Sequence, residues 1–464
     1  MADEQEKTEF VPVTEDEAKT KKSRRKRSKC KCTTVFLVLL VVFLIVGAFI
    51  GGYLVRRAVF GDCKTVSGAD EADDLEKLYS EAIDGVSPTN LEKELEYFSS
   101  VPHIAGSNES HQQAVYIKNR LKEDFGFDSA ELKRYDILLS YPNKPGIVSM
   151  LSQNGSVISS SKPYEKILDP AENDSRVVSP FNAYSPSGNV KGKLIYANYG
   201  HEDDFNYLES QGVNITGKIV IVRYGKLFRG GKAQNAEKRG AKGLIIYSDP
   251  ADYAPEGVNK TYPDYRWLSS DGVQRGNLWM VKGDPLTPGY PATDGIYRVP
   301  KDDLPFPKIP VHPISWSDAA PLLKYVLLNM IINFMIIISS RSVMSSIRQR
   351  EWVLNPLPHH PPERTLKIRK APSGWQGGLG FSYNIEMDSS DTREIRVEVS
   401  NRMEQMPVYN VIGTITGSEE PDRYVIIGCH RDAWVFGAVD PSSGGSTLME
   451  TARMLGKLVK KGKN

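Results

Sequence analysis

The longest apolar run of the chain lies near its N-terminus. Residues 33–55 carry no charged side chain and consist mainly of Val, Leu, Phe and Ile. At about 1.5 Å of rise per residue, a helix of this length crosses a bilayer core of about 30 Å. Eight Lys and Arg residues lie between Lys21 and Lys31, whereas the sequence after the run turns acidic. The pattern predicts one transmembrane helix at 33–55, retained as an anchor, with a cytoplasmic N-terminus.

Beyond a polar stalk at 56–75, the pattern predicts two helices. Thr89 followed by Glu92 has the spacing of a capping box and predicts a helix through about residue 98. A second helical pattern runs from about 110 to 125. The ectodomain is therefore expected to begin with helices.

The next region is richer in Gly, Pro, Asn and β-branched residues. Residues 130–140 have an extended pattern, and the change of composition predicts a domain boundary near residue 136. Three segments then follow the order strand, basic helix, strand: 217–225, 230–239 and 243–250. This order predicts a small α/β unit. Three prolines and a glycine predict a rigid loop at 284–291.

A second apolar run at 325–338 interrupts this order. Its fourteen residues include Asn329 and Asn333 and are few for a bilayer crossing, so we expect an interfacial or misplaced segment rather than a second transmembrane helix. Regular patterning returns at about residue 395. Strand patterns at 409–416 and 424–428 precede a helical pattern at 445–460. The helical spacing puts four apolar residues on one buried face: Leu448, Ala452, Leu455 and Val459.

Composition and charge narrow the possible functions. The 464 residues carry a formal net charge of +2, and the basic cluster is confined to the N-terminal tail, which argues against nucleic acid as a partner.

Four cysteines are too few for a disulfide framework. Cys30 and Cys32, on the cytoplasmic flank, are candidates for palmitoylation. Cys63 could bridge two chains just outside the membrane, and Cys429 lies far from the others.

Five Asn-x-Ser/Thr sequons follow the predicted transmembrane helix and agree with an extracellular ectodomain. They begin at Asn108, Asn154, Asn173, Asn214 and Asn259. We therefore expect a glycosylated, single-pass type II protein of the plasma membrane.

One pair of residues is the main candidate for metal chemistry. His430 follows the predicted strand at 424–428, and Asp440 precedes the predicted helix at 445–460. Ligand groups gather at the carboxyl ends of strands in open α/β sheets, so both side chains can point into one crevice. Imidazole nitrogen and carboxylate oxygen suit zinc. Taken alone, the pair is better explained as a structural hydrogen bond.

The run HRDAWVFGAVDP at 430–441 resembles the first metal-ligand segment of the glutamate carboxypeptidase II family, membrane dipeptidases that act on N-acetylated acidic peptides. Other segments resemble the family in the same order: HIAGS at 103–107, LLSYPNK at 138–144, GKIVIVRYGKLFRG at 217–230, GAKGLIIYSDPADY at 240–253, GVQRGN at 272–277, GDPLTPGYP at 283–291 and IPVHPI at 309–314. Their colinear order makes coincidence implausible.

The resemblance implies an α/β fold in which a protease-associated domain interrupts a zinc-peptidase domain. The implied segments are a cytoplasmic tail at 1–32, the transmembrane helix at 33–55, a stalk at 56–75, the first peptidase part at 76–135, the protease-associated domain at 136–324, an anomalous insertion at 325–370, a return connection at 371–394 and the second, incomplete peptidase part at 395–464.

The resemblance also implies roles for individual residues. His430 resembles a ligand of one zinc ion and Asp440 the carboxylate that bridges two, which activate a shared water. Arg229, Asn277 and Lys226 resemble the groups that recognise the acidic C-terminal residue of a peptide substrate. Without the resemblance, a solvated basic loop explains Arg229 and Lys226 better.

A structural calcium ion is implied in the same way. Thr287 and Tyr290 resemble positions whose backbone carbonyl oxygens bind it. An ordinary proline-rich turn is the alternative explanation of these residues. The family further implies a homodimer for a full-length chain.

The chain departs from the family pattern in several places. The remaining zinc ligands, the general-base glutamate, the acidic calcium ligands and the dimerisation domain would follow residue 464, so we expect this chain as written to be inactive and assign no catalytic residue. Cys429 stands where the family usually has glycine. The insertion at 325–370 and the end at 464 together suit an imperfect gene model.

Three hypotheses remain open on the sequence alone. The chain belongs to a two-zinc carboxypeptidase or dipeptidase, to a non-catalytic binding protein of the same fold such as the transferrin receptor, or to a truncated product that pairs with a longer chain or misfolds. His430 and Asp440 favour the enzyme, because a non-catalytic relative has no chemical reason to keep both ligands.

Overall fold

The computed structural model describes residues 68–324, 369–386 and 391–462, and the chain divides into two compact units, 1–80 and 81–464. The predicted tail, the transmembrane helix at 33–55, and Cys30, Cys32 and Cys63 lie outside the described residues, as does nearly all of the insertion at 325–370. Within the described ranges, no helix is both long enough and apolar enough to cross a membrane.

Three helices open the described chain: α1 (Gly68–Asp84), α2 (Pro88–Ser99) and α3 (Asn108–Asn119), the last continuing into a π-helical turn at Arg120–Asp124. The second and third confirm the two predicted helices. The predicted capping box is wrong, because α2 begins at Pro88 and Ser87 is its N-cap, whose side chain accepts a hydrogen bond from the Asn90 amide. Proline at the first helical position and serine before it favour this earlier start.

A long antiparallel ladder pairs an early segment of the described chain with a late one. Strand β1 (Ser129–Leu151) pairs with β10 (Glu394–Thr414) from Ser129↔Thr414 to Leu151↔Glu394, with irregularities between Pro142 and Ile147. Strands β2 (Val157–Ser160) and β4 (Gly188–Gly192) complete the sheet in the order β2-β1-β10-β4. The predicted boundary near residue 136 falls inside β1. We call the described residues between β1 and β10 the inserted part, and the other described residues from 81 onward the peptidase part.

A parallel sheet forms the centre of the inserted part. Its strands, in the order β5-β6-β7-β9, are β5 (Leu194–Tyr196), β6 (Ile219–Arg223), β7 (Gly243–Tyr247) and β9 (Val311–Ile314). Every residue of these strands is buried, as expected for a parallel sheet that is covered on both faces. The helices α4 (Glu202–Ser210) and α5 (Arg229–Lys238) connect the first three strands, which confirms the predicted α/β unit.

The smaller elements of the inserted part are short turns and bridges. They are β3 (Asn182–Ala183), which pairs in parallel with β8 (Gly276–Asn277), the four-residue helix α6 (Pro250–Tyr253), helical residues 316–324, and 3-10 turns at Pro170–Glu172, Lys301–Asp303 and Ser373–Trp375. Residues 284–291 contain no strand or helix, which confirms the predicted loop.

The chain itself closes the carboxyl edge of the parallel sheet, where open α/β sheets usually bind ligands. The buried Asp249 carboxylate, just after β7, accepts hydrogen bonds from the hydroxyls of Tyr247 (2.8 Å) and Tyr383 (2.7 Å) and from the amides of Ala251 (2.9 Å) and Gly378 (2.7 Å). Two of these donors belong to the return segment at 369–386. The edge is therefore filled by protein.

The last helix, α7 (Ser442–Lys460), packs beside α2 and the π turn. Its predicted buried face is wrong in part: Ala452 is buried, but Leu455 is 41% exposed, while Met449 and Leu458 are buried. Helical periodicity identifies an apolar stripe, whereas the packing partner decides which side of that stripe is covered. Here Met449 and Ala452 pack into one cluster with Phe98.

The predicted strand at 424–428 is wrong. Val425 and Ile426 are 92% and 89% exposed, and these residues form no ladder with any described strand. An extended apolar segment satisfies its backbone groups and buries its side chains only when neighbouring strands pair with it. Among the described residues, none provides that neighbour.

Candidate functional site

The structure brings the two predicted zinc ligands together. His430 Nε2 and Asp440 Oδ1 are 2.9 Å apart, although ten residues separate them in the chain. The other ring nitrogen, Nδ1, lies 3.0 Å from the Asp432 carbonyl oxygen and 3.6 Å from its carboxylate. The His430 and Asp440 side chains are 58% and 84% exposed. This arrangement orients the imidazole through Nδ1 and directs Nε2 towards Asp440.

The charges around His430 favour its protonated form in the metal-free protein. Hydrogen bonding to the Asp432 side chain, together with the charges of Asp432 and Asp440, raises the pKa of His430 to about 9. A cation that binds Nε2 must therefore displace a proton, as metal ligands generally require. Asp432, which sequence reasoning did not single out, has the position of the outer partner that typically orients a ligating histidine.

The chemistry of this donor set fits zinc, but the set is small. An imidazole nitrogen and a carboxylate oxygen are common zinc ligands, and zinc sites in proteins usually contain three or four protein ligands. Within residues 68–324, 369–386 and 391–462, no cluster of three or more His, Cys, Asp or Glu side chains could hold a metal ion. His430 and Asp440 are therefore two candidate zinc ligands, fewer than a complete site requires.

Backbone and guanidinium contacts hold the loop that carries His430. The Arg431 guanidinium donates to the carbonyl oxygens of Ser110 and Tyr409, both at 3.0 Å. The His103 amide donates to the Val435 carbonyl (3.2 Å), and the Ala433 amide donates to the His103 carbonyl (3.3 Å). The loop is thus fixed to the peptidase part although residues 424–428 have no strand partner.

His103 is fully buried behind this loop. Its Nδ1 lies 2.8 Å from the Val101 carbonyl oxygen, its Nε2 has no hydrogen-bond partner, and burial lowers its pKa. A neutral histidine in this position supports the loop by packing and backbone pairing. The HIAGS segment is the sequence signal that contains it, but no local pattern connects His103 with His430.

Cys429 lies next to the ligand pair. Its thiol is 3.7 Å from the Pro441 carbonyl oxygen, and its pKa is raised by partial burial and by the Asp440 charge. A Cβ atom on Gly444 would lie 2.9 Å from Cys429 Sγ, so glycine makes room for the thiol at the start of α7. The residue therefore contributes a protonated thiol beside Asp440.

Two of the predicted substrate-binding residues are adjacent in the inserted part. The Arg229 guanidinium lies directly against the backbone of Gly276, where a Cβ atom would be only 2.2 Å from Arg229 Cζ. Asn277 is the next residue, and its side-chain oxygen accepts a hydrogen bond from the Trp279 amide at 3.0 Å. The close approach requires glycine at position 276. Sequence reasoning did not identify Gly276, because only the folded chain places it under Arg229.

The Arg229 guanidinium is held by aromatic rings. Its Cζ lies 5.6 Å from the centroid of the Tyr224 ring and 5.3 Å from that of Phe228. Arg229 Nε is buried and has no hydrogen-bond partner in the described chain. A guanidinium that is fixed by stacking and retains free donors is suited to bind a carboxylate.

The third predicted substrate residue, Lys226, lies against a different ring. Its Nζ is 4.4 Å from the centroid of Tyr199, and its φ of 57° lies in the left-handed region, which is strained for a residue with a side chain. Arg223 stacks on the same ring at 4.0 Å. The structure therefore groups Lys226 with Tyr199 and not with the rings that hold Arg229.

The predicted calcium residues lie in the 284–291 loop. The Thr287 hydroxyl donates to Asp284 Oδ2 (3.0 Å), and the Thr287 carbonyl oxygen accepts a hydrogen bond from the Tyr290 amide (3.2 Å). Asp284 Oδ1 also accepts from the Leu138 amide (2.8 Å). The loop thus provides carbonyl oxygens and one carboxylate, but the carboxylate is already hydrogen-bonded. The calcium site stays a prediction.

All five sequon asparagines have exposed side chains: Asn108, Asn154, Asn173, Asn214 and Asn259. Such positions can carry a glycan on the folded surface, and the glycosylation itself stays a prediction.

Two family models match the chain in the regions that carry these residues. The PA domain model matches residues 189–280, which contain Arg229 and Asn277. The Peptidase family M28 model matches residues 410–464, which contain His430 and Asp440. Among solved structures, a Peptidase M28 precursor from Shewanella amazonensis SB2B covers 83% of this chain and 64% of its own, with 17% identity and a TM-score of 0.43.

Curated relatives match most of the chain. Aminopeptidase NAALADL1 of Mus musculus is 36% identical over 429 residues, which are 90% of this chain and 52% of the relative. The glutamate carboxypeptidase 2 homolog of Caenorhabditis briggsae is 33% identical over 396 residues, 82% of this chain and 46% of the relative. The chain spans about half the length of the curated relatives it matches. It belongs to the glutamate carboxypeptidase II family of M28 peptidases.

Proposed function

We propose that the protein is a membrane-anchored zinc metallopeptidase that cleaves peptides with an acidic C-terminal residue, such as N-acetyl-aspartyl-glutamate or folate polyglutamates. The observation that carries the proposal is the Arg229 guanidinium, which stacks on aromatic rings beside Asn277. The proposal includes two zinc ions per complete site, a structural calcium ion, a type II orientation in the plasma membrane and a homodimer of the full-length protein.

Separate residues would recognise the substrate carboxylate and bind the metal. Arg229 and Asn277 would hold the C-terminal carboxylate, since a fixed guanidinium offers paired donors to it. His430 and Asp440 would hold zinc, and Asp432 would keep the imidazole oriented through Nδ1. Zinc in such sites lowers the pKa of a bound water towards neutrality and polarises the peptide carbonyl.

Metal binding is tested by titrating the chain with zinc and measuring bound metal after dialysis. We expect the unsubstituted chain to bind more zinc than His430→Ala and Asp440→Asn, because each variant removes one of the two described ligands. His312→Gln, a change at a buried histidine far from the ligand pair in sequence, is the control and should keep its zinc. Equal zinc content in all four proteins would exclude this site.

Substrate recognition is tested with a peptide that has a blocked N-terminus and a C-terminal glutamate. We expect Arg229→Lys to weaken its binding by at least about tenfold, because an ammonium cannot reproduce the bidentate geometry of a guanidinium. Lys226→Met is the matched control, and its smaller effect would follow from its place on the Tyr199 ring. Unchanged binding in Arg229→Lys would contradict the proposal.

Aminopeptidase activity is the second candidate, because the mouse relative bears the name aminopeptidase at 36% identity. The two activities differ in the end of the peptide that they require. Cleavage of a peptide with a free N-terminus and an uncharged C-terminal residue would favour the aminopeptidase. Release of glutamate from the N-blocked peptide would favour the carboxypeptidase. Neither reaction and no retained zinc, measured in a chain extended to the length of the relatives, would favour a non-catalytic binding protein.

A further inference from the structure

The two halves of the proposed site meet in one apolar cluster. Phe181, Ala183 and Tyr184 form its buried centre, and six partly buried side chains pack around them: Ile104, Val178, Trp279, Phe306, Met403 and Trp434. Trp434 follows His430 by four residues, and Trp279 follows Asn277 by two. The cluster therefore contains a neighbour of the metal ligands and a neighbour of the recognition residues.

Among the described residues, one aromatic contact joins the His430 loop to the inserted part. The rings of Trp434 and Phe181 meet edge to face, with centroids 5.4 Å apart and an interplanar angle of 84°. Phe181 is 2% exposed and cannot shift without disturbing its surroundings. Edge-to-face pairs add stability beyond that of the area that they bury. The contact has a defined geometry and a rigid partner.

Phe181 is directly connected to the recognition residues. It precedes β3, in which Asn182 pairs with Gly276 and Ala183 pairs with Asn277. Gly276 is the residue against which the Arg229 guanidinium packs.

A side-chain contact leads from β3 to the same guanidinium. Asn182 donates to the Tyr224 hydroxyl at 3.1 Å, and the Tyr224 ring lies under Arg229. Through strand β3, the Trp434–Phe181 contact is thus linked to two of the three groups that contact the guanidinium, Gly276 and Tyr224.

The other described hydrogen bonds of the His430 loop do not extend to the inserted part. Arg431 bonds to α3 and β10, and residues 433–435 pair with His103, all in the peptidase part or its ladder. These contacts fix the loop to its own part of the molecule. Trp434 fixes it to the strand that positions Arg229 and Asn277.

We propose that Trp434 is a positioning residue that sets the separation between the His430–Asp440 pair and the Arg229–Asn277 pair. It thereby decides how many bonds can lie between the group bound at the metal and the C-terminal carboxylate of a ligand. This inference rests on the proposed function. A rigid spacing of this kind discriminates between ligands that differ by one methylene, for which binding sites achieve roughly 10–200-fold.

The test uses ligands of graded length on the full chain loaded with zinc. Each ligand joins a zinc-binding thiol to a dicarboxylic acid through one, two or three methylenes, and calorimetry measures its affinity. We expect the unsubstituted chain to prefer one length by at least about tenfold. Trp434→Ala should reduce this preference to within about threefold, while Trp434→Phe, which keeps an aromatic ring, should retain most of it.

Two further variants separate positioning from general stability. Phe181→Leu keeps an apolar side chain but removes the edge-to-face contact, so the length preference should flatten as in Trp434→Ala. Trp267→Ala removes another partly buried tryptophan, which donates to Glu256 and packs outside this cluster, and should leave the preference unchanged. Circular dichroism and zinc content confirm that each variant is folded and loaded.

The outcomes distinguish this inference from the proposed function. If the ligands bind but Trp434→Ala keeps the original length preference, the positioning role is overturned and the proposed function stands. If no ligand binds to the unsubstituted, zinc-loaded chain, both are overturned. The inference is supported if the ligand-length preference is flattened in Trp434→Ala and Phe181→Leu and kept in Trp267→Ala.

Discussion

Of two apolar runs of similar composition, one forms a buried strand and the other is exposed and forms no strand. Residues Ile219–Arg223 (IVIVR) form the fully buried strand β6 of the parallel sheet, while Val425–Gly428 (VIIG) form no strand and leave Val425 and Ile426 about nine-tenths exposed. β6 lies between β5 and β7. The exposed run has no described neighbour. A β-branched run therefore becomes a strand only where neighbouring strands are present to pair with it.

The same difference separates the two halves of the proposed site. Arg229 follows the paired strand β6, and its guanidinium is held by Gly276 and Tyr224. His430 follows the unpaired run, and the side chains of His430 and Asp440 are largely exposed. In the described residues, the recognition half is thus preorganised by a sheet, whereas the metal half depends on loop contacts alone.

The strongest test of this comparison makes one substitution in both runs. Ile221→Ala, in the centre of β6, should cost about 2–5 kcal/mol of unfolding free energy, because it leaves a cavity in a close-packed sheet. Ile426→Ala should change it by less than about 0.5 kcal/mol, because the side chain is already in solvent. Urea unfolding followed by tryptophan fluorescence measures both. A large loss in Ile426→Ala would mean that the run has a packing partner.

Acid should destabilise the buried sheet through His312 in β9. Burial lowers the pKa of this histidine to about 4, so the folded chain keeps it neutral while the unfolded chain protonates it near pH 6.5. Between those values the unfolded state binds more protons. Stability should therefore fall as the pH drops from 6.5 to 4, by up to about 3 kcal/mol.

His312→Gln provides the comparison for this pH dependence. Glutamine cannot titrate, so the variant should lose less stability than the unsubstituted chain between pH 7.5 and pH 4.5 in urea titrations. Parallel losses in the two proteins would show that His312 is not responsible. Gly146, where a Cβ atom would lie 2.4 Å from the His312 ring, leaves little room for the side chain to rearrange.

The closure of the parallel sheet by the return segment should depend on Asp249. Four groups donate hydrogen bonds to the Asp249 carboxylate. Asp249→Asn replaces one acceptor oxygen by an amide donor, which should lower the free energy of unfolding by about 1–3 kcal/mol. Hydrogen exchange at the Gly378 amide, which donates to this carboxylate, should become faster. Asp252→Asn is the control, since Asp252 is exposed and its carboxylate accepts, among the described hydrogen bonds, only from the Tyr199 hydroxyl. Unchanged exchange at Gly378 in Asp249→Asn would remove the carboxylate from this role.

The smallest expected effect concerns the N-terminus of α2. Ser87→Ala removes the observed N-cap of α2 and should cost about 1 kcal/mol, whereas Thr89→Ala should be nearly neutral. Thermal unfolding of the two variants measures the difference. The reverse order would restore the capping box that the sequence predicted, and it would place the start of α2 two residues later.

Sequence reasoning succeeded where local pattern decides structure. The two N-terminal helices, the strand–helix–strand order of the inserted part and the proline-rich loop follow from spacing and turn chemistry between near neighbours in the chain. The segment 430–441 also placed His430 and Asp440 in one candidate site. Sequence reasoning failed at 424–428 and at Leu455, where burial depends on which distant residues are present to cover an apolar side chain.

The amino-acid sequence by itself determined the types of the main elements, the family and the pairing of His430 with Asp440, because these depend on periodicity and on motifs within short segments. Only the tertiary structure decided that Gly276 supports Arg229 beside Asn277, that Lys226 lies on Tyr199, that Trp434 reaches Phe181 and that residues 424–428 have no strand partner. Those outcomes depend on contacts between residues far apart in the chain, and no local pattern specifies which of many possible partners will meet.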